Sequence, residues 1–144
     1  MIKKTATVHW EGEGKHGQGQ ISTETGALRQ YPYGFGSRFE DDRTGTNPEE
    51  ILGAAHAACF TMAFSFACAD AGFTTNSADT QAVVHLGKVD GGFEIQQIDL
   101  TLTAQIDGIT EEKFQEIAAS AKQNCPLSKA LAGVGQIKLV ATLV

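Results

Sequence analysis

From Asn47 to Ala71 the chain reads NPEEILGAAHAACFTMAFSFACADA, and Gly72 follows. Asn is a favoured N-cap residue, Pro fits the first helical position, and a Glu three residues after the Asn completes a capping box. No charged side chain lies between Glu50 and Asp70. The pattern therefore predicts one long α-helix, apolar on every face and for that reason buried on every face.

This run reaches the length of about 18 to 20 apolar residues that a membrane span needs. Its Ala, Gly, His, Thr and Ser residues dilute its hydrophobicity, acids flank both ends, and no Lys/Arg cluster sets a topology. We therefore expect a core helix and no membrane contact. At 1.5 Å per residue the helix is roughly 35 Å long, which one small chain can hardly surround. Together with the Ala-rich run, which permits close backbone approach, this length favours a dimer whose two chains cover both helices.

The segments on either side of the helix predict an α+β fold, with helices packed against antiparallel sheet. The 144 residues fit a single domain over 1–144. Its predicted parts are N-terminal strands over about 4–32, a loop over 32–46, the central helix over 47–72 and a C-terminal β/α part over 75–144. Within these parts we expect strands at 5–10, 17–23, 28–31, 77–89, 93–106 and 135–144, and helices at 110–123 and from residue 125 onward.

Charge and composition exclude several classes of protein. Eleven Lys and Arg against seventeen Asp and Glu give a net charge of −6, which argues against a nucleic-acid backbone reader and against attraction to anionic lipid. The hydrophobic fraction of 42% is that of a folded globule. The first residues lack the apolar run of a signal peptide, so we expect a cytoplasmic protein.

The three cysteines are too few for a disulfide scaffold, and their odd number leaves one thiol unpaired. Cys59 and Cys68 lie nine residues apart on the predicted helix and therefore point in opposite directions, about 13 Å apart along its axis. Since a disulfide needs Cα atoms within about 7 Å, any intrachain pair includes Cys125. Pro126 places Cys125 at or beside a helix N-cap, where free N–H groups favour a thiolate. We interpret Cys68 as a small buried hydrophobe.

Cys59 needs a cation if it is to act as a nucleophile, because apolar surroundings raise the pKa of a thiol. Two of the three arginines, Arg38 and Arg43, lie just before the helix. One hypothesis is that an Arg held by Glu49, the acid without a capping role, points at the Cys59 sulfur. The other is that both arginines are solvated charges paired loosely with acids of their own loop.

His56 lies one helical turn before Cys59 and is a second candidate for chemistry. A Cys–His nucleophilic pair, as in a hydrolase, lacks an evident orienting Asp or Asn. A metal site lacks further residues at ligand spacing, so we expect no metal and no bound cofactor. We favour a His packed in the helix interior and satisfied by a hydrogen bond.

Several motifs along the chain resemble one family specifically. The segment GTNPEEILGAAHAACF at 45–60 and the triplet NCP at 124–126 are similar to the two signatures of the OsmC/Ohr family of thiol-dependent hydroperoxide reductases. The segments HWEG at 9–12, STETG at 22–26, PYGF at 32–35 and RFE at 38–40 place the chain closer to the OsmC branch (osmotically inducible protein C) than to the Ohr branch. The resemblance covers essentially the whole chain.

The resemblance implies a fold and a set of roles. Members are intertwined homodimers in which antiparallel β-sheets wrap two long central helices, with two active sites at the dimer interface. By position, Cys59 corresponds to the peroxidatic thiol and Cys125 to the resolving thiol. Arg38 corresponds to the guanidinium that keeps Cys59 as a thiolate, and Glu49 to the carboxylate that holds this Arg. Choosing Arg38 over Arg43 rests on the resemblance alone.

The implied function is reduction of organic hydroperoxides, and less well of hydrogen peroxide, as part of an oxidative or osmotic stress response. The partners implied are the peroxide substrate, an external dithiol reductant, possibly of the lipoyl type, and a second copy of the chain. The alternative is a non-enzymatic stress protein that binds a small apolar ligand and whose cysteines are incidental.

Overall fold

The structure is a computed structural model that describes residues 1–144. Its contacts divide the chain into two compact units, Met1–Ile51 and Leu52–Val144, which are described separately below. The boundary falls inside the central helix, so the first turn of this helix belongs to the first unit.

The first unit is built on a three-stranded antiparallel sheet of order β1-β2-β3. Its strands are β1 (Ala6–Glu11), β2 (Gln18–Thr23) and β3 (Tyr31–Gly34). The rings of Trp10 and Tyr33 pack against each other with centroids 5.6 Å apart. They lie over Gly17 and Gly19, where an added Cβ would meet the two rings. Glycine at these two positions therefore leaves room for the aromatic pair.

The third strand and the following loop differ from the prediction. We expected a strand at 28–31 and a loop from residue 32, whereas β3 begins at Tyr31 and a short helix α1 (Phe35–Phe39) follows it. Gln30 has a left-handed φ of 47°, which interrupts any strand that starts earlier. Pro32 fits β3 because this is an edge strand, where a missing N–H costs nothing. The Ser37 hydroxyl accepts a hydrogen bond from the Gly34 N–H at 3.0 Å and so starts α1.

The central helix α2 (Pro48–Asp70) confirms the prediction from its sequence. Asn47 Oδ1 accepts a hydrogen bond from the Glu50 N–H at 2.8 Å, as expected of an N-cap residue. The carboxylate of Glu50 accepts from the Thr46 hydroxyl at 3.1 Å. Both contacts occupy Glu50 in structure and leave Glu49 for another role.

Within the single chain, α2 is buried along one face only, which differs from the expected burial on all faces. Five side chains or backbone positions spaced three or four residues apart are buried, as on one helical stripe: Gly53, His56, Phe60, Phe64 and Cys68. The helix is long and apolar enough to cross a bilayer by length and composition, and 28% of its most apolar window is buried. Its remaining stripe is exposed, and we call it the open face of α2: Ala54, Ala55, Ala58, Met62, Phe66 and Ala69.

The second unit contains a sheet of order β4-β5-β6, with strands β4 (Thr75–Val89), β5 (Gly92–Ile106) and β6 (Gln136–Leu143). β4 and β5 form the predicted antiparallel hairpin, and Gly91 supplies the positive φ of 91° in its turn. β6 pairs with β5 in the parallel direction, which corrects the expectation of purely antiparallel sheet. The reason is the helical connection between them, since parallel neighbours need a crossover and not a tight turn.

That crossover consists of α3 (Glu111–Asn124) and α4 (Pro126–Ala130). The inward residues of β5 pack with α2 and α3 into one apolar core. Phe64 meets Phe114 edge to face, with ring centroids 5.8 Å apart. The side chains that are almost completely buried in this core are Phe60, Phe64, Phe114, Ile98, Leu100, Leu102, His56, Cys68 and Cys125.

Candidate active site

Cys125 occupies the junction between two helices. It is both the C-cap of α3 and the N-cap of α4, with Pro126 in the first turn of α4. Its sulfur accepts a hydrogen bond from the Ser128 N–H at 3.3 Å. The prediction that Cys125 caps a helix N-terminus is confirmed. A free N–H group and the positive end of the helix dipole therefore lie against this sulfur.

Cys59 and Cys125 are neighbours in the second unit, and both are free thiols. The Cys59 side chain is in hydrogen-bond contact with Cys125, and the backbone N–H of Leu127 donates to the Cys59 sulfur. Cys125 is fully buried and Cys59 is half-buried. The first turn of α4 thus offers one backbone N–H to each sulfur, from Leu127 and from Ser128.

The surroundings of Cys59 within the chain raise the pKa of its thiol. Burial is the largest cause, and the neighbouring Cys125 adds to it through like-charge repulsion and a hydrogen bond that favours the neutral thiol. The Leu127 N–H acts in the opposite direction but does not outweigh them. As expected from its position in an apolar helix, Cys59 needs a further positive charge to become a thiolate.

Arg38 and Glu49 form a two-pronged ion pair in the first unit. Arg38 Nη2 donates to Glu49 Oε1 at 2.7 Å, and Nε lies 3.2 Å from both carboxylate oxygens. The Glu49 side chain is only 11% exposed and the Arg38 side chain 37%. Arg43 instead pairs with Asp41 at 3.4 Å, with both side chains about 90% exposed. Of the two hypotheses for these arginines, the loose loop pair describes Arg43, and the held guanidinium describes Arg38.

His56 is completely buried, and its Nε2 lies 2.8 Å from the Ser128 hydroxyl. Its Nδ1 is buried without any hydrogen-bond partner. Burial lowers the pKa of this imidazole, which keeps it neutral. The expected packed and hydrogen-bonded His is therefore found, with one nitrogen satisfied and one not. Its hydrogen bond joins it to Ser128 and not to Cys59, which disfavours a direct Cys–His pair.

Cys68 lies in the core, fully buried, and burial raises the pKa of its thiol. Its interpretation as a small buried hydrophobe is confirmed. Ser128, by contrast, is a residue of the site that the sequence did not single out. The signal was present: residue 128 is the third residue of a helix capped by Cys125, the position whose N–H an N-cap side chain binds.

Comparison with known proteins agrees with this architecture. The sequence model of a family described as OsmC-like protein matches residues 40–140. Peroxiredoxin OsmC of Escherichia coli K12 is 52% identical over 130 residues, which are 90% of each chain. Organic hydroperoxide resistance protein OhrB of Bacillus subtilis is 31% identical over 122 residues, or 84% of this chain and 87% of that protein.

Solved structures show the same fold. The crystal structure of Bacillus subtilis OhrB superposes with a TM-score of 0.68 at 30% identity and covers 97% of this chain and 98% of that one. An OsmC-like protein from Mycoplasma pneumoniae reaches a TM-score of 0.77 over 99% and 98% of the two chains, although only 19% of its residues are identical. The sequence match over most of the chain and the shared fold together show that the protein belongs to the OsmC/Ohr family, on its OsmC branch.

Proposed function

We propose that this protein is a two-cysteine thiol peroxidase that reduces organic hydroperoxides. The observation that carries the proposal is the pairing of Cys59 with Cys125, two free thiols in contact at the N-terminus of one helix. The names of the relatives agree, since one is a peroxiredoxin and another an organic hydroperoxide resistance protein.

In the proposed cycle, the Cys59 thiolate attacks the terminal oxygen of the peroxide and the O–O bond breaks. The alcohol leaves after taking up a proton, and Cys59 becomes a sulfenic acid. Cys125 then attacks the Cys59 sulfur, the S–O bond breaks, and water and a disulfide form. An external dithiol, which we propose is of the lipoyl type, reduces this disulfide and restores both thiols.

The positive charge that activates Cys59 is proposed to come from Arg38 of a second copy of the chain. Along α2, Cys59 lies ten residues after Glu49, which corresponds to about 15 Å of helix. A guanidinium held at Glu49 is therefore too far along the helix to touch the thiol of its own α2. In a homodimer with the site at the interface, the Arg38–Glu49 pair of one protomer faces Cys59 of the other.

The open face of α2 supports the proposed dimer. Ala58, Met62 and Phe66 line an open apolar groove of about 610 Å³ on this face, and the two larger side chains are more than 60% exposed. Exposed apolar stripes of this kind mark interfaces in soluble proteins. Alanines along the stripe permit a second helix to approach closely.

We expect Ala58→Glu to separate the dimer, because it places a charge in the centre of the open face. Light scattering should show the molar mass falling from twice the 15.3 kDa chain mass to the chain mass. Ala119→Glu makes the same change at an exposed position of α3, and it should leave the mass unchanged. A monomeric wild-type protein, or a dimer unaffected by Ala58→Glu, would contradict this arrangement.

Thiol titration tests the proposed function directly. One equivalent of an alkyl hydroperoxide should remove two of the three free thiols of the reduced protein, leaving Cys68. Peptide mapping should then find a disulfide between Cys59 and Cys125. If no thiol is lost, the peroxidase proposal fails, and the groove on the open face would instead favour the alternative of a protein that binds a small apolar ligand.

A further inference from the structure

A buried line of hydrogen bonds runs from the resolving cysteine to His56. The Cys125 thiol donates to the Ser128 hydroxyl oxygen at 3.1 Å, and the Ser128 oxygen lies 2.8 Å from His56 Nε2. Cys125 and His56 are fully buried, and Ser128 is 7% exposed. None of the steps that reduce the peroxide uses His56 or Ser128, so this line is unexplained by the chemistry at Cys59.

The directions of these bonds follow from the hydrogens that each group carries. A serine hydroxyl has one hydrogen, and its oxygen can accept another hydrogen bond. Since the Ser128 oxygen accepts from the Cys125 thiol, its own hydrogen is free to be donated to Nε2 of a neutral His56. The single hydrogen of that imidazole is then on Nδ1, the nitrogen without a partner.

We propose that Ser128 and His56 form a proton relay that activates Cys125 as the resolving thiol. The proposal rests on the peroxidase function above and assigns a role to one of its steps. Ser128 touches the reacting sulfur and is a catalytic residue, whereas His56 acts through Ser128 and is a positioning and proton-accepting residue.

The relay operates while the disulfide forms. The Cys125 S–H bond breaks, its proton passes to the Ser128 oxygen, and the Ser128 hydroxyl proton passes to His56 Nε2. The electron pair left on Cys125 forms the S–S bond to Cys59 as the S–O bond of the sulfenic acid breaks. The proton returns from His56 through Ser128 to the departing hydroxide, which leaves as water. Cys59 is reduced from sulfenic acid to disulfide, Cys125 is oxidised, and no further oxidant is consumed.

Two features of His56 suit a proton acceptor better than a purely structural residue. Burial keeps the imidazole neutral, so that Nε2 has a lone pair available. The unpartnered Nδ1 makes the buried imidazole an expensive packing residue, because an unsatisfied buried polar group costs about 1–3 kcal/mol. An apolar side chain would fill the same space without that penalty.

The test separates the two half-reactions. Reduced protein is mixed with one equivalent of alkyl hydroperoxide, loss of peroxide reports the first step, and thiol loss at Cys125 reports the second. We expect Ser128→Ala to slow disulfide formation about 100-fold, which is within the contribution typical of a positioned proton-transfer group. Cys59 sulfenic acid should then accumulate and be trapped by dimedone, while peroxide is still consumed.

His56→Gln distinguishes proton transfer from positioning. The Gln amide oxygen can still accept from the Ser128 hydroxyl, but an amide cannot take up the proton, so disulfide formation should again be slow. Raising the pH should restore the rate in both variants, because a Cys125 ionised by solvent base needs no acceptor. The titratable groups that face Cys125 are the Cys59 thiol and, through Ser128, the imidazole of His56.

Ser77→Ala, an exposed serine on β4, is the matched control and should form the disulfide at the wild-type rate. A wild-type rate of disulfide formation in Ser128→Ala or in His56→Gln, or a slow rate that pH does not restore, overturns the relay. A wild-type protein that consumes no peroxide overturns the proposed function instead. Should Ser128→Ala fail to fold, as judged by circular dichroism, His56→Gln alone decides.

Discussion

Cys59→Ser is expected to abolish peroxide turnover. The reaction requires a sulfur that ionises near neutral pH and then holds oxygen as a sulfenic acid, and a serine hydroxyl does neither. The change is nearly isosteric, so the packing of α2 against the core should survive. A coupled assay with an alkyl hydroperoxide and a dithiol reductant should show no rate above that of the reductant alone.

Cys68→Ala is the control for this prediction. It removes a sulfur from the same helix without placing a polar hydroxyl in the core, and Cys68 lies fully buried away from the paired thiols. Turnover should remain at the wild-type level. Continued turnover in Cys59→Ser, or its loss in Cys68→Ala with the fold intact, would show that the reacting sulfur is not at position 59.

Arg38→Ala is expected to have the second largest effect, by raising the pKa of the Cys59 thiol. The surroundings of Cys59 within its own chain already raise this pKa, and the proposed guanidinium is the charge that opposes them. Loss of an opposite charge within about 4–6 Å typically moves a pKa by 1–3 units. Below the new pKa the thiolate fraction falls about tenfold per unit, so the rate of peroxide reduction at neutral pH should fall by about 10-fold to 1000-fold.

The pH profile of Cys59 alkylation measures this shift, and Arg43→Ala is its matched control. Arg43 lies in the same loop, but it is almost fully exposed and pairs only with Asp41. The alkylation profile of Arg43→Ala should coincide with that of the wild type. An unchanged profile in Arg38→Ala would remove Arg38 from the activation of Cys59, even if the overall rate fell.

Features that depend on neighbours in sequence could be predicted well. The N-cap at Asn47, the limits of α2, the turn at Gly91 and the capping position of Cys125 all follow from residues within one or two helical turns. The segment that was placed wrongly also has a local cause. The left-handed backbone of Gln30 delays β3, and side-chain composition does not indicate a positive φ at a residue other than glycine.

Contacts between distant segments could not be predicted. The parallel pairing of β6 with β5 depends on the path of the crossover helices, which side-chain alternation along β6 does not encode. Composition alone also left Arg38 and Arg43 equivalent. Only the position of Glu49 at the start of α2 separates a held guanidinium from a solvated one.

The amino-acid sequence by itself determined an uncharged central helix, a resolving cysteine at a helix start and membership of a thiol-dependent family. Helix caps and turns are satisfied within a few residues, and for this reason they can be read from adjacent positions. The tertiary structure alone decided that Cys59 lies against Cys125 and that His56 reaches Ser128, 72 residues away in the chain. Such contacts form because burial of the apolar core brings distant polar groups together, where they must find partners in each other.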